Sequence, residues 1–206
     1  MGGNTMSYDL YAYFESVNDS IIPQWILEMK KNHFECEFHP KFSFKTQSGF
    51  LPIKVRILKS HITRLCNNDF VSGFEMSVSN DLDNKTISEH IKNIERLKLQ
   101  KPKQSLINKL TKKTVIGNEF FDNIKERIQK SSVELTLYTG SDFLEVITAW
   151  YAIATLVTIL DGVLYDPQEG KYYNKTNAIE MAKEVFDGFQ SINIDEWQLH
   201  PFKKWA

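Results

Sequence analysis

The sequence contains few cysteines, carries almost no net charge and lacks the short motifs that identify common catalytic sites. Cys36 and Cys66 are the only cysteines in 206 residues, which suits reduced thiols in a cytoplasmic protein that has no signal peptide. A formal net charge of −1 gives no global field that would draw the chain to nucleic acid or to an anionic membrane. We therefore expect a cytoplasmic protein that binds neither.

Three catalytic motifs are absent from the sequence: the Gly-rich phosphate loop, the Gly-x-Ser-x-Gly nucleophile turn and the His-Glu-x-x-His zinc pair. Their absence lowers the expectation of an enzyme without excluding one, and no cofactor is predicted. The sequence also has no internal repeat and no low-complexity tract. An aromatic content of 13% argues against a disordered chain.

The most informative stretch lies in the last third of the chain. Residues 133–138 alternate between apolar and polar side chains, which predicts a strand with one covered face. Residues 143–160 are apolar nearly all the way round, which predicts a helix buried on most sides. Ser141 or Asp142 would cap its start, and Gly162 would take the left-handed position after its end. A membrane span is the alternative, but no Lys or Arg closely flanks this helix.

The same two periodicities predict the remaining elements. Strands are expected near 8–14, 35–44, 50–57, 70–78 and 133–138, and helices near 20–31, 143–160 and 177–187. A hairpin over 162–173 would lie at a sheet edge or beneath the last helix. The prediction is one α+β domain over 6–206, in which helices pack on an antiparallel-dominated sheet around the buried helix. Residues 1–5 resemble a tag or an alternative start.

Charge is distributed unevenly along the chain. Residues 81–132 hold twelve basic and seven acidic side chains, whereas residues 133–206 hold five and eleven. Two oppositely charged faces that solvate one domain are the favoured interpretation; the alternative is that the acidic last third attracts a basic partner. Two amphipathic helices are expected in the basic part, one beginning near residue 83 and one over 119–130. Residues 98–113 carry six lysines and no acid, which is typical of a solvated surface; RNA binding through phosphates is the weaker alternative.

A metal site is suggested by spacing and opposed by geometry. His33-x-x-Cys36-x-x-His39 has metal-like spacing, and His61 with Cys66 could complete four ligands. In an extended strand, however, Cys36 and His39 point in opposite directions. We therefore predict no metal site and a buried Cys36 thiol.

Carboxylates offer the other possible chemistry. Asp161, Asp166 and Glu169 cluster around the expected hairpin, but their spacing matches no calcium loop. Glu145 lies in the first turn of the apolar helix, where the helix dipole favours an anion. No catalytic residue is predicted. An enzyme acting on a small substrate, in a pocket between the sheet and the basic segment 98–113, remains the alternative function.

The segment Leu160-Asp-Gly-Val-Leu-Tyr-Asp-Pro-Gln-Glu-Gly170 stands between an apolar helix and a helix opened by Asn177-Ala-Ile-Glu180. This arrangement resembles the C-terminal part of small bacterial cytoplasmic proteins of uncharacterised and toxin-immunity type. The opening Met6-Ser-Tyr-Asp-Leu10 is similar to the way many of them begin. The resemblance carries over no active site. It implies a non-enzymatic binding protein that masks a partner, namely a bacterial toxin domain.

Such masking needs an exposed surface with a few aromatic anchors and complementary charge. We expect it on the exposed face of the first strand and on the acidic hairpin. The predicted partner-binding residues are Asp9, Tyr11, Tyr13, Asp166, Glu169 and Tyr172.

Overall fold

One antiparallel sheet runs through the chain from its first described strand to its last. The structure is a computed structural model that describes residues 8–99, 117–140 and 142–205. Its strands are β1 (Tyr8–Phe14), β2 (Phe34–Phe38), β3 (Gly49–Ile57), β4 (Asp69–Ser79), β5 (Val133–Thr139), β6 (Val163–Asp166), β7 (Lys171–Asn174) and β8 (His200–Pro201). Its α-helices are α1 (Ile22–Lys31), α2 (Asn84–Leu99), α3 (Asn118–Lys130), α4 (Phe143–Leu160) and α5 (Ala178–Gln190). The predicted α+β class is confirmed.

The strand order is β2-β3-β4-β5-β1-β6-β7, and every pairing between these strands is antiparallel. β2, β3 and β4 form a meander, as their short connections predict. β6 and β7 form the expected hairpin, which lies at an edge of the sheet. β8 pairs with the part of β4 that β5 does not reach. The first strand, β1, therefore ends up inside the sheet between β5 and β6.

The strand register divides the sheet into two faces, because alternate side chains point to opposite sides. The inner face carries apolar rows, such as Leu10, Ala12 and Phe14 of β1 beside Leu137, Leu135 and Val133 of β5. Helices α1, α4 and α5 form the layer on that side. The outer face carries Asp9, Tyr11 and Tyr13 beside Tyr138, Thr136 and Glu134.

Helix α4 fills the centre of the inner layer. Thirteen of its 18 residues are buried, and the Asp142 carboxylate caps its start by accepting from the Leu144 and Glu145 N–H groups. It is the one helix among residues 8–99, 117–140 and 142–205 that is long and apolar enough to cross a membrane, and 72% of that span is buried inside the protein. The prediction of a buried central helix is therefore confirmed.

Polar groups inside the inner layer connect its elements. The Trp25 indole Nε1 of α1 donates to the Ala152 carbonyl oxygen at 2.8 Å and to Thr155 Oγ1 at 3.0 Å. The hydroxyls of Ser72 on β4 and Thr148 on α4 are 2.8 Å apart. These bonds fix the helices against each other and against the sheet, since a buried polar group without a partner is costly.

The outer face is also partly covered, which the sequence did not predict. Helices α2 and α3 pack against β1, β6 and β7 and form a second, smaller core. Its buried members are Tyr13, Ile94, Ile124, Ile128, Val163 and Tyr172. The alternation of residues 8–14 predicts one covered face, whereas β1 is covered on both faces along part of its length.

Two local predictions are wrong. The strand predicted over 35–44 ends at Phe38, because the chain turns at Pro40. The left-handed residue after α4 is Asp161, with φ 54°, and not Gly162. Glycine is required at position 162 by close packing: an added Cβ would lie 2.5 Å from two carbon atoms of the Phe14 ring.

Substituting Gly162→Ala should therefore lower the free energy of unfolding by about 1–3 kcal/mol, because the Phe14 ring cannot shift without disturbing the core. Chemical denaturation measures this change. Gly188→Ala in α5 is the matched control, since nothing lies within 4 Å of its added Cβ. That control should be neutral or stabilising by up to about 1 kcal/mol. Equal stability of the two variants would contradict the packing argument.

Candidate functional site

The six residues predicted to bind a partner fall into two groups in the structure. Tyr13, Asp166 and Tyr172 are buried, with exposed fractions of 1%, 0% and 4%. The expectation that these three side chains are exposed is wrong. The residues that keep accessible surface are Asp9, Tyr11 and Glu169.

Asp166 is buried because its carboxylate binds backbone groups of the β6–β7 turn and the Tyr8 hydroxyl. Its carboxylate accepts from the Tyr8 hydroxyl at 2.9 Å and from the backbone N–H groups of Gln168 and Glu169 at 3.0 and 3.3 Å. Burial raises the pKa of this carboxyl above its ordinary value, and these hydrogen bonds oppose the rise. Asp166 is therefore a structural residue of the turn.

Tyr13 and Tyr172 are buried because α2 lies over them. The Tyr13 hydroxyl is 2.7 Å from His90 Nε2, and the Tyr172 hydroxyl is 2.8 Å from His90 Nδ1. His90 lies on the apolar stripe of its helix, which faces the sheet. The covering of these two tyrosines thus results from a helix that packs on the face expected to be open.

The part of the outer face that α2 and α3 leave uncovered is defined by the strand register, and we call it the outer strip. One cross-strand row runs over β3, β4, β5 and β1 as Phe50, Glu75, Tyr138 and Asp9. The neighbouring rows on the same face add Tyr11 and Glu134. The outer strip therefore comprises three aromatic and three acidic side chains.

Phe50 and Tyr138 are the most exposed aromatic members of the outer strip, at 48% and 37%. The Phe50 ring lies over Gly73 of the neighbouring strand, where an added Cβ would be 2.7 Å from Phe50 Cζ. Because Gly73 has no side chain, the Phe50 ring can pack directly on the backbone of β4, and this contact holds the exposed ring in place. Flat, well-placed rings of this kind are typical anchors of protein interfaces.

The outer strip is acidic. Asp9, Glu75 and Glu134 form no ion pair with any Lys or Arg among the described residues. Burial raises the pKa of the Tyr11 hydroxyl, and the nearby Asp9 and Glu134 carboxylates add to that rise. A basic surface would relieve this accumulation of negative charge.

In the adjoining part of the outer face, over β2 and β3, the charged side chains are paired with side chains of opposite charge. Arg56 donates two hydrogen bonds to Asp69, at 2.7 and 2.9 Å, and Lys54 lies 3.5 Å from both Glu37 and Asp69. The C-terminal tail crosses this region, where the Trp205 indole N–H donates to Glu37 at 3.0 Å. These charges pair with each other and with the tail, unlike those of the outer strip.

Sequence reasoning did not find Phe50, Glu75 and Tyr138. The alternation of residues 50–57 and 133–138 places Phe50 and Tyr138 on the face opposite the main apolar rows. It does not show that a single strand, β4, separates β3 from β5, or that β1 pairs with β5. Strand order decides these neighbours, and the periodicity of a single strand contains no information about strand order.

The reactive groups considered in the sequence are dispersed. No group of three His, Cys, Asp or Glu side chains in the described part of the chain could hold a metal ion. Cys36 is buried, and burial raises its pKa to about 12, so its thiol is poorly reactive at neutral pH. The Glu145 carboxylate accepts from the Gly140 N–H at 3.1 Å and closes the turn before α4.

The basic segment 98–113, to which the enzyme and RNA alternatives refer, lies outside the described residues except at its start. Lys98, the one of its lysines that the structure describes, lies 2.6 Å from Asp122 of α3. An ion pair with a neighbouring helix reduces the charge that this lysine can offer to a phosphate.

The structural role of Asp166 can be tested against its exposed neighbour. Asp166→Ala should lower the free energy of unfolding by about 2–3 kcal/mol, because the Tyr8 hydroxyl and two backbone N–H groups lose their acceptor. Glu169→Ala removes a carboxylate that forms an exposed ion pair with Lys171, so it should change stability by less than about 0.5 kcal/mol. Thermal or urea unfolding measures both, and an equally small effect at Asp166 would contradict the assignment.

Comparisons of this chain with protein-family models, with curated proteins and with solved structures find no match. The resemblance to immunity-type proteins therefore stays a prediction. The function has to be argued from the geometry of the outer strip.

Proposed function

We propose that this chain is a non-enzymatic protein-binding module, specifically an immunity protein that binds and neutralises a bacterial toxin in the cytoplasm. The observation that carries the proposal is the outer strip, in which three aromatic rings and three carboxylates share one uncovered sheet face. The resemblance of the 160–170 segment and its flanking helices to immunity-type proteins supports the same function.

The composition of the outer strip suits tight association. Aromatic side chains near the centre of an interface contribute most of the binding free energy, and Phe50, Tyr138 and Tyr11 would supply those contacts. Asp9, Glu75 and Glu134 would accelerate the encounter with a positively charged partner. A toxin domain that acts on nucleic acid presents such a positive surface, because it has to bind phosphates.

The position of the outer strip in the fold also favours binding. Four of its six residues, Glu75, Tyr138, Tyr11 and Glu134, are paired with a strand on each side, whereas Phe50 and Asp9 are paired on one side. The backbone of those four is fixed by the ladders and by the core beneath them, so they lose little conformational entropy when a partner docks. A rigid, flat and charged surface is appropriate for masking an active site by steric cover.

The test uses the product of the gene adjacent to the one that encodes this chain, purified as a catalytically inactive variant. We expect binding by isothermal titration calorimetry with a dissociation constant below about 1 μM, in the range of specific standard-size interfaces. Tyr138→Ala should weaken binding at least about thirtyfold, the loss typical of an aromatic anchor. The paired change Asp9→Lys with Glu75→Lys should slow association about tenfold or more, and less at high salt.

Glu184→Lys is the matched control, because Glu184 is an exposed carboxylate in the middle of α5, in the layer on the other side of the sheet. It should leave the affinity unchanged, and thermal unfolding should show every variant to be folded at the temperature of the binding measurement. Failure of the adjacent gene product to bind would contradict neutralisation of that toxin. Binding that survives all the outer-strip substitutions would show that the partner docks elsewhere.

A further inference from the structure

His90 stands at the centre of a polar cluster between α2 and the sheet. Its Nε2 is 2.7 Å from the Tyr13 hydroxyl, its Nδ1 is 2.8 Å from the Tyr172 hydroxyl, and Asn93 Nδ2 donates to the Tyr172 oxygen at 3.1 Å. The Tyr13 and Tyr165 rings lie 4.7 and 5.2 Å from the imidazole, measured between ring centroids. Both ring nitrogens are therefore occupied by groups of the sheet.

A neutral imidazole satisfies the hydrogen bonds of this cluster. A neutral ring has one donor and one acceptor nitrogen, so one tyrosine hydroxyl donates to it and the other accepts from it. We assign Tyr172 as the donor to Nδ1, since its oxygen already accepts from Asn93. We assign Tyr13 as the acceptor from Nε2, since the Glu134 carboxylate of the neighbouring strand lies near enough to attract the Tyr13 hydroxyl hydrogen. A protonated ring has two donors and would leave the Tyr172 hydroxyl hydrogen without an acceptor.

The apolar contact between α2 and the rest of the protein is small. Ile94 is the one fully buried residue among its 16 positions, compared with thirteen in α4. Its other apolar side chains, Ile87 and Leu97 among them, are half-buried in the second core with Phe120, Phe121 and Ile124 of α3. Two exposed ion pairs, Lys125 with Glu95 and Lys98 with Asp122, add to this contact. Exposed pairs contribute little to stability. Among the described residues, the hydrogen bonds that join α2 to the sheet are those of His90 and Asn93 with Tyr13 and Tyr172.

We propose that His90 is an acid-sensitive latch: its neutral ring fastens α2 to Tyr13 of β1 and Tyr172 of β7, and its protonation releases the helix from the sheet. Release would uncover Tyr13 and Tyr172, which lie on the outer face next to the outer strip. This property goes beyond partner binding and does not depend on it.

The charged groups around His90 do not stabilise its protonated form strongly enough to oppose release. Glu89 on α2 favours the protonated ring, but burial dominates and lowers the pKa of His90 from 6.5. Glu134 of β5 is the cross-strand neighbour of Tyr13. The Arg96 guanidinium of α2 donates to the side-chain oxygen of Asn93, the residue that contacts Tyr172. The charged residues of α3 nearest to α2 pair with Glu95 and Lys98, away from the ring.

The direction of the pH effect follows from linkage. A histidine with a lowered pKa in the folded state contributes stability that is complete above its unfolded value of 6.5 and is lost as the pH falls below it. Asp142, Glu145 and Asp166 act in the opposite direction: burial raises their pKa values, so they favour the folded state as the pH falls. Those three lie on other elements, so an effect confined to α2 reports His90.

Hydrogen exchange read by mass spectrometry on the whole chain, at pH 7.5 and pH 5.0 and corrected for intrinsic rates, tests the latch. We expect protection of residues 84–99 to fall about tenfold at pH 5.0, within the limit set by an unfolded pKa of 6.5, while that of α4 stays unchanged. His90→Gln, which cannot be protonated, should give α2 the same protection at both pH values. His61→Gln, at an exposed histidine, should keep the pH response of the parent.

A parent chain with constant α2 protection down to pH 5.0, or a His90→Gln variant that keeps the response, would overturn the proposal. Tyr172→Phe provides a second readout by NMR titration of the His90 ring. Loss of the hydroxyl that donates to Nδ1 should raise the proton affinity of His90 about tenfold, which is one pKa unit. An unchanged His90 pKa in this variant would show that Tyr172 is not the donor and that the latch is assigned wrongly.

Discussion

The requirement to enclose α4 on every side is the constraint on which the rest of the structure depends. A helix that is apolar around its whole circumference has no side to leave in water, and each large side chain that it buries contributes about 1.5–3 kcal/mol. The inner face of the sheet covers one side of it, and α1 and α5 pack around it. This use of the inner face leaves the outer face as the one sheet face that can carry a binding surface.

The outer face is divided into three regions with different physical character. Over β2 and β3, charged side chains pair with each other and meet the C-terminal tail. Over β1, β6 and β7, α2 and α3 form a small second core. The outer strip lies between these regions, and it combines exposed rings with carboxylates that have no cationic partner among the described residues. Its unsatisfied charge makes it the best candidate for contact with another molecule.

The two helical layers are held to the sheet by different forces. The inner layer depends on extensive apolar burial, which does not change with protonation. The outer layer has a smaller apolar core, and hydrogen bonds centred on one titratable ring, His90, join α2 to the sheet. Because the second layer is smaller and more polar, protonation of His90 can detach it while the main core stays folded. The same sheet thus supports a permanent layer and one that responds to pH.

The sequence by itself determined most of the elements and the inner core. The period of two in the strands, the all-round apolar character of 143–160 and the short connections of the meander predicted an α+β fold with a buried central helix, because these patterns reflect local backbone geometry and burial. Only the tertiary structure decided that β1 lies between β5 and β6, that α2 covers Tyr13 and Tyr172, and that Phe50, Glu75, Tyr138 and Asp9 form one row. Those features depend on which distant segments pair, and the pattern within one segment is the same whichever neighbour it acquires.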